Sequence, residues 1–369
     1  MSIKIGFIGT GWMARAHSHA VRAIRELGVI DEDIELHAIA GRNFENATAA
    51  GDRLGFAHVY RDPGMIIEDN DIDIVAVLGA TSMHYQSVRA IISAGKAVIC
   101  EKPLALTSIE AQDLAEIAKA TKLVAAVGFN YRFVPALALA KSILQDSRLG
   151  SIRSFSAKYY QDWAAKSSAR TGWRFADIAG GSAVGDYSHI VDLMHWLCPG
   201  TTEVIAATIT TFDPKSDQVQ RAREDIDHRD AFSALLRIDD RIPVTLEASR
   251  VATGFKSAQM VEVVGSKGSI SWNMQDLNRL RIYQEQSVEP EVRGFADVLV
   301  TDPSHPYMSL WWAPGHIIGW EHTFIHQWVE FLLQYQNRPP LFARPADFGD
   351  GYRAASTCDA ITQAAFGHA

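Results

Sequence analysis

Ile3-Lys4-Ile5-Gly6-Phe7-Ile8 reads as a strand, and Gly9-Thr10-Gly11-Trp12-Met13-Ala14 follows it directly. A helical pattern then runs to about Leu27. Strand, glycine turn and helix in this order form the G-x-G-x-x-G/A arrangement that opens a dinucleotide-binding unit. Gly9 allows the tight turn, Gly11 lets backbone approach a pyrophosphate, and small Ala14 lets helix and strand pack closely. The helix N-terminus, with Trp12 and Met13, then offers N–H groups to the phosphates.

The next segments repeat this rhythm. Glu35 to Ala40 reads as the second strand, followed by Gly41-Arg42-Asn43. An NAD site usually carries Asp or Glu here for the ribose hydroxyls. Arg42 instead suits a 2′-phosphate, so the cofactor is read as NAD or NADP, with Arg42 leaning to NADP; its other reading is a solvated surface arginine. Ile72 to Leu78 is a strand leading into Gly79-Ala80-Thr81-Ser82-Met83-His84. Small residues such as Ser82 let ribose and nicotinamide pass close by. His84 either lines that site or caps the helix that runs to about Ala94.

Lys96 to Cys100 delivers Glu101-Lys102-Pro103. In an open parallel sheet, ligands sit just past the carboxyl ends of the strands. Proline disfavours helical geometry in the residue before it, so Lys102 is expected to be extended at that edge, within reach of a substrate oxygen. Thr107-Ser108-Ile109-Glu110 is a capping signature for a helix to about Thr121, and Leu123 to Val127 is another strand. Alternating strands and helices through about residue 125 predict a doubly wound parallel sheet.

After Gly128 the pattern changes. One helix, Pro135 to Leu144, gives way to strands at Ile152–Tyr160, Val204–Phe212, Ala231–Ile238, Val244–Arg250 and Gln259–Val264. Asp239-Asp240-Arg241 and Gly265-Ser266-Lys267-Gly268 read as hairpin turns. Helices around Thr323 to Tyr335 and Gly351 to Ala365 close the chain. The predicted fold is α/β: a Rossmann domain over 1–125, then an α/β domain over 126–369 with a large, mostly antiparallel open sheet. One face of such a sheet stays free, which suits subunit association.

Within the second part, Gly180-Gly181-Ser182-Ala183-Val184-Gly185-Asp186-Tyr187-Ser188-His189 opens a helix. Asp186 and His189, three residues apart, fall on one side of its first turn. A carboxylate beside an imidazole orients a general base; Asp186 also reads as an N-cap. His189, Asp192 and His195 spread over too wide an arc for one metal ion. Glu321, His322 and His326 lack the H-E-x-x-H order. No metal is expected, and no G-x-S-x-G elbow points to a hydrolase. Trp163 and Trp173 lie in the stretch before Asp186, where flat aromatic faces suit a carbohydrate. Pro314-Gly315-His316 is a polar loop that adds His316 as a substrate contact.

Bulk properties narrow the partners. The formal charge is −8 with no basic block, so neither nucleic acid nor an anionic membrane is expected. Three scattered cysteines form no disulfide framework or metal knuckle. No secretory leader or membrane-length apolar run is read, so a soluble cytoplasmic protein is expected.

Together these motifs resemble the family of glucose-fructose oxidoreductase and inositol dehydrogenase over nearly the whole chain. The resemblance is carried by Gly9 to Ala14, Glu101-Lys102-Pro103, Asn130-Tyr131-Arg132-Phe133, Gly172-Trp173-Arg174, and Gly180-Gly181 through His189 and Asp192. It implies an NAD(P)-dependent oxidoreductase of sugars or cyclic polyols, commonly a homodimer or homotetramer. It implies cofactor contacts from Glu101, Lys102, Asn130, Trp173 and Arg174, and substrate contacts from Lys102, Asn130, Tyr131, Trp163, Asp186 and His189. The stretch from Trp311 to His316 and Gly319 to Phe324 is similar to members acting on monosaccharides and anhydrosugars such as levoglucosan. Two departures stand out: Asp186 precedes His189 by three residues where the family's pattern has four, and Arg42 replaces the acidic residue of strict NAD users.

The expected reaction moves a hydride between a sugar carbon and nicotinamide. His189 exchanges the hydroxyl proton, Lys102 stabilises the same oxygen, and Asp186 orients them. Two rivals share the scaffold: a non-catalytic NAD(P)- and sugar-sensing regulator, and a reductase of a non-sugar ring compound.

Overall fold

The computed structural model describes residues 2–166, 185, 187–213, 218–221, 229–285 and 289–367. The chain divides into two compact units, Met1–Phe133 with Gly319–Tyr352 and Val134–Ile318 with Arg353–Ala369.

The first unit is built on six strands: β1 (Ile3–Ile8), β2 (Ile34–Ala40), β3 (His58–Tyr60), β4 (Ile74–Val77), β5 (Ala97–Cys100) and β6 (Ala125–Val127). They run in the order β3-β2-β1-β4-β5-β6, and every neighbouring pair is parallel. Helices α1 (Trp12–Leu27), α2 (Phe44–Leu54), α3 (Pro63–Glu68), α4 (His84–Ser93) and α5 (Ser108–Thr121) connect them. Helices on both faces explain why the strands are continuous apolar runs, with Ile5, Phe7, Ile8, Val75, Val77, Val98 and Ile99 buried. On α1, Ala14, His17, Ser18, Val21 and Ile24 make the buried stripe, spaced as an amphipathic helix requires. Strand order reverses between β1 and β4, the switch point where such sheets bind ligands. Gly9 stands there with φ +124°, and a Cβ on it would lie 2.7 Å from the Leu78 carbonyl carbon. Only glycine meets both conditions.

The second unit holds α6 (Pro135–Gln145), β7 (Ile152–Tyr160), α7 (Ser188–Leu197), β8 (Thr202–Asp213), β9 (Gln218–Arg221), β10 (Ala231–Ile238), β11 (Ile242–Ser249), β12 (Ala258–Gly265), β13 (Gly268–Asn273), β14 (Arg279–Gln284) and β15 (Ala296–Leu299). Among the described residues, nine strands lie in the order β15-β14-β13-β12-β7-β11-β10-β8-β9. The β7–β11 pair is parallel and the other pairs are antiparallel. Phe232, Ala234, Leu236, Val244, Leu246 and Ala248 are buried, while their alternates Ser233, Leu235 and Thr245 are exposed. One face is therefore covered and one open. The β10–β11 hairpin turns on Asp239 and Asp240, both at positive φ (49° and 55°), as a tight hairpin needs.

Two later helices, α8 (Glu321–Tyr335) and α9 (Phe348–Phe366), complete the chain. The sequence reading cuts the chain once, at 125/126, and keeps everything after it together. Here residues 319–352 return to the first unit. The cause is a helix buried on nearly every side: Phe324, Ile325, Trp328, Val329, Phe331 and Leu332 are all buried. Such a helix needs cover all round, and α8 packs on α1. The Glu330 carboxylate accepts the backbone N–H groups of Leu341, Phe342 and Ala343 at 3.0, 2.8 and 3.1 Å. The chain beyond α8 is thereby folded back, and the Val127 N–H donates to the Ala346 carbonyl at 2.8 Å.

Candidate active site

At the head of α1 the N-cap is Gly11, which supplies no side-chain cap, and the first turn carries no acidic residue. The first N–H groups of the helix have no intrahelical acceptor. A Cβ on Gly11 would meet nothing within 4 Å, so approach from outside is open. An uncapped helix N-terminus with open approach, at a switch point, fits the pyrophosphate of a dinucleotide. Trp12 is 63% exposed and stacks on Trp320 at 5.1 Å and 14°; Met13 is half-buried beside it. Arg42 is exposed just past β2, and Ser82 is exposed in the short turn after β4.

At the end of β5 the buried Glu101 carboxylate accepts from His17 Nε2 at 3.0 Å. The Trp328 indole N–H donates to His17 Nδ1 at 2.9 Å. Glu101 Oε2 accepts the Lys102 backbone N–H at 3.3 Å. A Cβ on Gly128 would stand 2.7 Å from Glu101 Oε1, so glycine there makes room for the carboxylate. Lys102 is half-buried at the carboxyl edge of the sheet. His84, the first residue of α4, points inward and is 1% exposed. Its Nδ1 meets the Pro103 carbonyl at 2.9 Å and its Nε2 the Gly79 carbonyl at 3.3 Å. Burial lowers its pKa, so the neutral ring, donating to Pro103, ties the loop after β5 to the loop after β4.

Asn130 and Tyr131 lie in a buried turn after β6. The Asn130 amide donates to Thr323 Oγ1 at 2.8 Å, and Arg132 pairs with Asp350 at 3.0 Å. His326 Nδ1 meets the Phe133 carbonyl at 2.9 Å.

In the second unit, His189 is the second residue of α7 and is 8% exposed. Its ring is 6.4 Å from Tyr159, whose ring is 4.9 Å from Tyr187. The Gln161 carbonyl oxygen accepts from the Trp163 indole at 2.9 Å and from the Tyr187 hydroxyl at 3.3 Å. Its amide nitrogen donates to Ser257 at 2.9 Å. The end of β7 and the start of α7 thus gather His189, Tyr159, Tyr187, Gln161 and Trp163. Arg250 lies over the Trp163 ring at 5.6 Å, held by a buried pair with Asp230 at 2.8 Å. His316 is exposed, and its Nδ1 meets the Ala313 carbonyl at 2.8 Å. Asp186, Trp173 and Arg174 lie outside the described residues.

His17, Trp328 and Gln161 carry no mark in the sequence reading. Gln161 alone had a usable signal, as a polar residue two places after Tyr159 at a strand end. Among the described residues, His37, Asp69 and Asp71 bring three potential metal ligands within 4.8 Å. Their atoms already engage one another and their neighbours: His37 with Asp69 at 3.2 Å, Tyr60 with Asp69 at 2.7 Å, and Lys4 with Asp71 at 3.2 Å.

Residues 3–129 match the oxidoreductase family with an NAD-binding Rossmann fold, and residues 137–271 match the GFO/IDH/MocA C-terminal domain. The chain is 32% identical to levoglucosan dehydrogenase from Pseudarthrobacter phenanthrenivorans, covering 99% of this chain and 96% of that one. It is 28% identical to inositol 2-dehydrogenase 2 from Saccharopolyspora erythraea, over 73% of each. A solved levoglucosan dehydrogenase in complex with NADH and levoglucosan superposes with a TM-score of 0.91 at 32% identity, covering 99% and 97% of the two chains. No helix among the described residues is long and apolar enough to cross a membrane.

Proposed function

Because this chain belongs to the GFO/IDH/MocA oxidoreductase family, we propose that it oxidises a hydroxyl of a sugar or cyclic polyol, or reduces the matching ketone, with a nicotinamide dinucleotide. One observation carries the reading: the uncapped, open N-terminus of α1 and Lys102 belong to the same carboxyl edge of one parallel sheet, where such folds bind ligands.

When bound, the nicotinamide supplies or takes up the hydride. In oxidation the carbinol C–H electrons leave as that hydride, the O–H proton leaves to a base, and a C=O forms. His189 takes the proton, and Lys102 hydrogen-bonds the same oxygen and stabilises its developing charge. Asp186 orients them. These roles rest on the sequence motifs and on the local setting of Lys102 and of His189. Trp163, Tyr131, Asn130 and His316 are assigned to the sugar. Glu101, Ser82, Trp12 and Met13 are assigned to the dinucleotide, with His84 holding the loops that frame it. Trp173 and Arg174 are carried by the motif alone. Arg42 favours NADP through its charge.

The open face of the nine-stranded sheet supports a homodimer or homotetramer. Three free, buried cysteines support a reducing, cytoplasmic setting. A net charge of −8 speaks for a small-molecule partner over nucleic acid or an anionic membrane.

The test is reduced-nicotinamide absorbance with NAD and NADP against monosaccharides, levoglucosan and inositols. Turnover of at least one is expected. Cofactor binding with no turnover of any compound marks a sensor, and turnover only of an unsaturated ring compound marks a reductase; either outcome overturns the reading.

A further inference from the structure

We infer that His17 and Trp328 are positioning residues that hold Glu101, and through it the Lys102 backbone, for the dinucleotide. An indole N–H is a donor only. Since it donates to His17 Nδ1, that nitrogen is an acceptor, and the ring's remaining proton sits on Nε2, facing Glu101 Oε1 at 3.0 Å. Each group in the chain therefore has a single role open to it, and the tautomer is set by geometry. The surroundings strengthen the arrangement. His17 is 0% exposed and meets Phe7, Phe324 and Trp328 edge-on at 6.4, 5.2 and 5.9 Å. In such an apolar cage a hydrogen bond is strong, and a misplaced donor or acceptor is costly.

The consequence reaches the cofactor. His17 is on α1, the helix whose N-terminus faces the pyrophosphate in the functional reading above, on which this inference rests. Glu101 ends β5 and bonds the Lys102 N–H through Oε2. The Trp328–His17–Glu101 chain thus joins the phosphate-binding helix to the turn that carries Lys102, with α8 as the anchor. A carboxylate offers about four acceptor sites, and these contacts use only part of them. The rest serve a ribose hydroxyl of the dinucleotide, so the orientation set by His17 governs cofactor affinity and the step that depends on Lys102.

The experiment compares wild type with His17→Phe, His17→Gln and Trp328→Phe. Phenylalanine keeps the ring contacts of His17 and removes both hydrogen bonds. Glutamine keeps one acceptor and one donor. Cofactor Kd is read from nicotinamide fluorescence, kcat from turnover of the preferred sugar, and melting temperature from the apo protein. His17→Phe is expected to raise cofactor Kd about tenfold or more and to lower kcat. Trp328→Phe should move both in the same direction, and His17→Gln should recover most of the loss. Variants that lower only the melting temperature, with Kd and kcat within about twofold of wild type, overturn the inference, as does a His17→Gln protein no better than His17→Phe. If His17→Phe does not fold, Trp328→Phe and His17→Gln decide by the same readings. Wild type that binds the dinucleotide but turns over no sugar overturns the functional reading, while the Kd series still decides this one.

Discussion

Gly41 faces the Thr10 side chain so closely that a Cβ on residue 41 would stand 2.7 Å from Thr10 Cγ2. This contact is a physical reason why the end of β2 lacks the acidic residue that usually binds the adenosine ribose. It leaves the exposed Arg42 as the charged group there.

The proposed preference for NADP rests on Arg42. Arg42→Ala should raise KM for NADP about tenfold more than KM for NAD, as the loss of a charge-assisted phosphate contact implies. Thr10→Ala combined with Gly41→Asp makes room for a carboxylate and should move the preference to NAD. The ratio of kcat/KM for the two cofactors is the measurement, and an unchanged ratio in both variants contradicts the assignment.

Gln259 makes a prediction about stability. It is 0% exposed on β12, opposite Tyr159 in β7, and neither its amide nitrogen nor its oxygen has a hydrogen-bond partner among the described residues. The equally buried Gln327 donates to the Val127 carbonyl at 3.1 Å. An unsatisfied buried amide costs stability that an apolar side chain of the same shape avoids. Gln259→Met should therefore stabilise the protein by about 1 kcal/mol, whereas Gln327→Met, which gives up one bond but also removes an unpaired Oε1, should change stability less. Denaturant titration separates the two; a loss of stability in Gln259→Met contradicts the account.

Acid should weaken the fold through buried histidines. Burial pushes the His326 pKa down to about 3, against the bond to Phe133, and burial also lowers that of His84. Their unfolded values are about 6.5, so below that pH the unfolded chain takes up protons that the native state refuses. The stabilising difference is fully present above about pH 6.5 and is lost as pH falls toward the folded values. For His326 the slope is up to about 1.4 kcal/mol per pH unit in that window. Melting temperature should fall between pH 7.5 and pH 5. His326→Gln should be less stable than wild type at pH 7.5 but show a shallower acid slope; a slope equal to that of wild type contradicts the assignment.

Much of this was legible locally. Ile3–Ile8, Ile152–Tyr160 and Ala231–Ile238 are the strands their periodicity predicts, because burial on one or both faces dictates the residue pattern. Asp239 and Asp240 mark their hairpin because few other residues tolerate positive φ there. The return of residues 319–352 to the first unit was not legible. Its signal is the pairing of Trp328 with His17, which are 311 positions apart, and no local pattern encodes that. The edge strands Arg279–Gln284 and Ala296–Leu299 were also missed, since they are short and carry charged or exposed residues. For the candidate site, the glycine turn and Lys102 announce themselves through backbone demands at strand ends. His84 was read as either lining the site or capping a helix; its inward turn depends on the Pro103 carbonyl of a separate loop, which no local pattern encodes.

The most direct test of the central claim is turnover by wild type, Lys102→Ala and His189→Ala, with cofactor Kd and melting temperature measured on each. Both variants should fold and still bind the dinucleotide, Lys102→Ala the more weakly, while kcat on the wild type's preferred sugar at saturating cofactor falls by roughly 100-fold or more. Folded variants that oxidise the sugar at the wild-type rate would contradict the account.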